Sequence, residues 1–111
     1  MKNSNKLEKK TGIYNGFPVT YNRQFDSFDT DLLITKFLPN SKRRECIEWV
    51  KEKYTKAKTI HKYCSYELKH HLERDTGIYL TDNQFKHLML ICGHKPVDET
   101  EFQWRFRIKY K

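Results

Sequence analysis

This chain has few of the residues that usually announce a particular chemistry. Of its 111 residues only four are glycine and three proline. The glycines (Gly12, Gly16, Gly77, Gly93) are scattered, so no glycine-rich loop can cradle a nucleotide phosphate, and Gly-Lys-Ser/Thr is absent. The three cysteines, Cys46, Cys64 and Cys92, are an odd number without framework spacing, which predicts reduced thiols in a cytoplasmic protein. No apolar run approaches the ~18 residues of a membrane span, and no apolar segment near Met1 suggests a secretory signal. His61, Cys64, His70, His71, His87, Cys92 and His94 could each ligate a metal. There is no Cys-x2-Cys pair, however, and Cys92-Gly93-His94 is tighter than usual zinc spacing. Nothing orders a Cys and a His as nucleophile and base. We therefore expect no metal, no cofactor and no catalytic residue.

What the chain does have is aromatic residues and positive charge. Aromatics make up 14% of it, and 22 Lys plus Arg against 14 Asp plus Glu leave a formal charge of +8. Aromatics bury a large area per residue and suit a small core. The net charge favours a polyanionic partner without identifying one. Residues 1–11 read as a basic arm. Tyr14, Phe17, Tyr21, Phe25 and Phe28 follow, spaced by polar residues. Asn15-Gly16 is a strong hairpin-turn dipeptide, and Pro18 removes a ladder donor just after it. Residues 1–29 are expected to form an irregular hairpin or extended strap. It packs either on its own domain or, using those five aromatics, on another protein.

Residues 30–111 read as one domain. A short helix from Asp29 or Thr30 is expected to end at Pro39. A longer one, capped by Asn40 or Ser41, should run to about Lys58, with Cys46, Ile47, Trp49, Val50 and Tyr54 inward. Ser65 is placed as the cap of the next helix, with Glu67 in its first turn, Leu68 and Leu72 in its core and Gly77 ending it. Thr81-Asp82-Asn83-Gln84 matches a capping box, with Leu80 and Phe85 at the positions of a hydrophobic staple. In the helix that follows, Phe85, Leu88, Met89 and Cys92 face the core and Gly93 is the stop. That leaves Asn83, Lys86, His87 and Leu90 facing outward.

From Phe102 to Tyr110 apolar and polar residues alternate through nine positions. Phe102, Trp104, Phe106, Ile108 and Tyr110 share one face of a predicted strand; Gln103, Arg105, Arg107 and Lys109 share the other. Two helices followed by a basic strand is the order of a helix-turn-helix with a β wing. The expected fold is mainly α with a small β wing (α+β), a winged helix-turn-helix with an N-terminal extension. Asn83 can pair with adenine and Lys86 can reach guanine or phosphate, with His87 beside them. Arg105, Arg107 and Lys109 can track phosphates. Leu90, exposed on the same helix face, suits a protein contact. Thr-Gly-Ile-Tyr occurs at 11–14 and again at 76–79, without longer similarity around it.

Ser65-Tyr66-Glu67-Leu68-Lys69-His70, Gly77-Ile78-Tyr79-Leu80-Thr81, Asn83, Phe85, Met89 and Gly93 resemble small winged-helix proteins of Gram-positive mobile elements, among them plasmids, phages and staphylococcal-type cassette chromosomes. The similarity covers roughly residues 46–109. Glu67 departs from it where a glycine is expected, and Leu90-Ile91-Cys92 where smaller residues are usual. The resemblance implies a non-catalytic accessory protein that works with a replication protein such as a polymerase-like primase, on single- or double-stranded DNA. Two other classes remain open, a mobile-element inhibitor of a host nuclease and a small transcriptional regulator.

Overall fold

The computed structural model describes residues 38–99 and 101–111, together with the backbone of three strands near the N-terminus. Those are β1 (Thr11–Tyr14), β2 (Phe17–Asn22) and β3 (Ser27–Phe28). They form an antiparallel sheet in the order β1-β2-β3. Tyr14 is opposite Phe17, and Tyr21 opposite Phe28. The strap is therefore a three-stranded meander. Among the described residues β3 pairs with Tyr21 and Asn22 and not with Pro18, which has β1 alone as its strand neighbour, an edge position that tolerates a missing N–H. The basic arm at residues 1–10, the Asn15-Gly16 turn, Phe25 and the short helix expected before Leu38 lie outside the described residues.

The rest is α+β. Three helices, α1 (Asn40–Lys53), α2 (Ser65–Thr76) and α3 (Asp82–Ile91), pack on a two-stranded antiparallel sheet of β4 (Tyr54–Lys56) and β5 (Ile108–Tyr110). The core is continuous across them: Cys46 and Val50 from α1, Leu68 and Leu72 from α2, Phe85, Leu88 and Met89 from α3, and Trp104, Phe106 and Ile108 from the C-terminal segment. Asp75 ties α2 to α1. Its carboxylate accepts from Trp49 Nε1 at 2.9 Å, Lys53 Nζ at 3.0 Å and Arg74 Nε at 3.0 Å. Those bonds, Arg74's first, hold its pKa well below the usual carboxylate range.

The helix ends follow local chemistry, with corrections. Thr81 caps α3 as expected: its hydroxyl accepts from Gln84 N–H at 3.1 Å, and Gln84 Oε1 accepts from Thr81 N–H at 2.9 Å. Gly77 (φ 78°) and Gly93 (φ 88°) occupy the left-handed region that ends a helix. Ser65, however, is not the cap of α2. Cys64 holds that position, its N–H donating to Glu67 Oε1 at 3.0 Å. The Ser65 hydroxyl instead accepts from Trp104 N–H at 2.9 Å, while Ser65 N–H donates to Trp104 O at 2.7 Å. Helix α1 stops at Lys53, five residues short of the expected Lys58, and Pro39 rather than Asn40 or Ser41 precedes its first residue. The chain leaves the helix because Tyr54–Lys56 pair with β5, a partner more than 50 residues away that local periodicity does not reveal.

The predicted nine-residue strand is regular only over Ile108–Tyr110. Its alternation nevertheless holds: Trp104, Phe106 and Ile108 are buried, while Gln103, Arg105, Arg107 and Lys109 are exposed. Tyr110 departs from the pattern at 47% exposed, although its ring stacks on Tyr54. The irregular stretch is held from both sides. Ala57 N–H donates to Arg107 O (3.0 Å) and His61 N–H to Phe106 O (2.8 Å); opposite them, Val97 N–H donates to Arg105 O (2.9 Å) and Pro96 bridges Phe106. The two Thr-Gly-Ile-Tyr copies differ completely. Thr11–Tyr14 is a strand, whereas Thr76 closes α2 and Gly77 turns out of it. Tertiary context overrides identical local sequence.

Candidate nucleic-acid interface

The six residues expected to meet nucleic acid separate into two groups. Asn83 and Lys86 are fully buried, and His87 and Leu90 are half-buried, so the outward face expected for α3 is not one. The reason is the helix's position. It packs against α1 and α2, β2 runs beside it, and the C-terminal segment crosses it at Phe102 and Trp104. Lys86 is a strut in this arrangement. Its ammonium donates to Phe102 O at 2.6 Å, pairs with Asp82 at 3.5 Å and lies 5.0 Å above the Trp104 ring. A buried lysine needs such partners to keep its charge. Burial also pushes the His87 pKa down, favouring a neutral ring.

Arg105, Arg107 and Lys109 are exposed, as their alternation predicts. The structure adds cations that strand periodicity could not supply. A cleft of about 470 Å³ is lined by Lys56, Ala57, Gly93, His94, Lys95, Pro96, Val97, Arg107 and Ile108. A second, more open one of about 580 Å³ shares Lys56 and Ala57 with it and adds Lys58, Thr59 and Lys109. The lining of both includes Lys56, Lys58, Lys95, Arg107 and Lys109, with no Asp or Glu among the described residues. These five residues come from three segments: the β4 turn, the link after α3, and β5 with its approach. Arg105 lines neither cleft, and its charge helps lower the Glu67 pKa, after the Cys64 hydrogen bonds that dominate it.

Local chemistry fixes this geometry. Arg107 Nη1 donates to Lys58 O at 2.7 Å, which holds the guanidinium across the loop that follows β4. At the end of α3, Gly93 N–H donates to Leu90 O (3.0 Å) and His94 N–H to Met89 O (2.8 Å), the two bonds of a Schellman turn. That turn places His94 and Lys95 at the cleft. The His94 pKa is lowered, by burial first and then by the Lys56 charge. Sequence signals part of this site: Gly93 marks the turn, whereas the helix expected to reach about Lys58 hides Lys56 and Lys58, because α1 ends at Lys53 and β4 follows.

An aromatic cluster backs the sheet. The Tyr54 and Tyr110 rings stack at 5.5 Å, and His61 meets them edge-on at 5.7 and 5.2 Å. Elsewhere, Lys69 is nearly buried between the exposed Tyr66 and Tyr79, 5.0 and 4.8 Å from their rings. Among the described residues no three His, Cys, Asp or Glu side chains gather as a metal site would require, and no helix is long and apolar enough to cross a membrane. The chain matches no protein-family model, no curated protein and no solved structure.

Proposed function

We propose that this chain is a non-catalytic winged-helix DNA-binding module whose contact surface is the basic sheet edge and its two clefts. One observation carries the reading: five cations from three separate segments converge on adjoining clefts whose lining, among the described residues, contains no carboxylate. Such a surface suits phosphates, which supply most of the affinity and little sequence readout. Chain order supports the winged-helix part. From α1 onward, helix, strand, helix, helix and then two extended stretches follow one another, and the last lies between β4 and Pro96. The covered α3 favours contact through the wing over base reading by a recognition helix. The similarity to mobile-element proteins adds a replication partner, such as a primase-polymerase, to this reading.

Fluorescence anisotropy with a labelled DNA tests it. Affinity is expected to fall tenfold or more between roughly 50 and 200 mM salt, as for a ligand held at several phosphates. Arg107→Glu with Lys109→Glu should weaken binding and flatten the salt dependence with little change in the thermal midpoint, since the Arg107 bond to Lys58 O that it removes is exposed. Salt-independent binding, or none at low salt, contradicts the reading.

A further inference from the structure

The cleft between β4 and the turn after α3 contains a feature that general backbone binding does not require. His94 is 8% exposed and lines the cleft. Its backbone N–H is used in the Schellman turn, but its side chain makes no hydrogen bond, ion pair or ring contact among the described residues. Neither ring nitrogen is among the buried side-chain atoms that lack a partner, so the ring's polar edge reaches solvent. Around it stand Lys56 from β4, Lys95 from the link and Arg107 from the approach to β5. Three residues of formal positive charge line one cleft, with no Asp or Glu among its described lining residues. An internal phosphodiester brings one negative charge, whereas a phosphate monoester brings nearly two at neutral pH and exposes three acceptor oxygens. The charge of the cleft fits the monoester better. Guanidinium and ammonium groups together suit it, because one offers a planar fork and the other a point charge.

We propose that this cleft binds a terminal phosphate monoester of a nucleic-acid strand, held by Lys56, Lys95 and Arg107, with His94 donating a ring N–H. The proposal rests on the DNA-binding reading and makes it more specific. The clefts adjoin at Lys56 and Ala57. A strand end in the first can therefore send its next phosphates past Lys58 and Lys109 in the second.

The test compares three single-stranded oligonucleotides of one sequence in anisotropy titrations with the full chain, carrying a 5′-phosphate, a 3′-phosphate or hydroxyls at both ends. One phosphorylated end is expected to bind about tenfold tighter than the hydroxyl-ended strand, the effect of one or two charge-assisted hydrogen bonds. Which end gains identifies the source of the phosphate. His94→Gln and the exposed Lys95→Ser should each reduce the gain to threefold or less, the gain being the ratio of phosphorylated to hydroxyl-ended affinity within each variant, so that a general loss of binding from removing one of the five cations cancels. A thermal melt checks that each variant is folded, and Lys95→Ser covers the case in which His94→Gln is not. Equal affinity for all three strands overturns the terminal-phosphate proposal while DNA binding stands. A gain that both folded variants retain also overturns it. Absence of binding to any strand at low salt overturns the proposal together with the reading beneath it.

Discussion

Lys86 and Arg107 are both cations in the C-terminal half of the chain, and the fold uses them in opposite ways. Lys86 is fully buried on α3, bonded to Phe102 O and paired with Asp82. Arg107 is exposed and lines a cleft with Lys56 and Lys95. The difference arises from the elements that hold them. A strand packed on a core has two faces, so alternation alone decides which side meets solvent. A helix can be covered on several sides at once, and no periodicity in its own sequence reveals what covers it. A lysine outside the apolar stripe of α3 is therefore not thereby a lysine in water.

The largest effect expected from breaking this comparison is at Trp104, which is fully buried and lies beneath the Lys86 ammonium. Trp104→Ala is expected to cost about 3–5 kcal/mol of stability, the range for truncating a large buried aromatic. Chemical denaturation measures it, and a cost under 1 kcal/mol would remove the C-terminal segment from the core. Lys86→Met comes next. It leaves the Phe102 carbonyl and the Asp82 carboxylate without this partner and should cost about 1–3 kcal/mol, with DNA affinity unchanged in the folded protein.

That contrast also shows how much of the molecule was legible from sequence. The Thr81 capping box, the Gly77 and Gly93 stops and the alternation from Gln103 to Lys109 were readable because each depends on residues within a few positions. The end of α1 and the burial of Lys86 were not, because each depends on a partner outside its own element: β5 for the first, and the Phe102–Trp104 segment for the second. The candidate site divides in the same way. Arg107 and Lys109 were visible on a strand face. Lys56, Lys58, His94 and Lys95 join them only once β4 and the α3 turn are placed in space.

A smaller effect is expected from acid. Burial lowers the pKa values of His61, His71, His87 and His94, so each favours the neutral form when folded. The unfolded chain then binds more protons near pH 6, and stability falls as pH drops through the ordinary histidine range, near 6.5. At His61 the ring's hydrogen bond to the Ile108 backbone opposes part of this shift, and Nε2 is buried without a hydrogen-bond partner. The thermal midpoint should be lower at pH 5.5 than at pH 7.5. His61→Phe should reduce the difference, whereas a midpoint that does not change with pH contradicts these burials. The smallest effect is expected at Arg105, exposed and outside both clefts: Arg105→Ala should change stability by no more than about 0.5 kcal/mol.

Whether DNA meets the basic sheet edge or α3 is decided by setting Arg107→Glu with Lys109→Glu against Lys86→Met. Each protein is titrated with the same labelled DNA at low salt and at a temperature where melting shows it folded. The double charge reversal is expected to weaken binding at least tenfold with little change in melting, while Lys86→Met melts lower and binds as the parent does. Binding that survives the double reversal but is lost in folded Lys86→Met would contradict this and return the contact to α3.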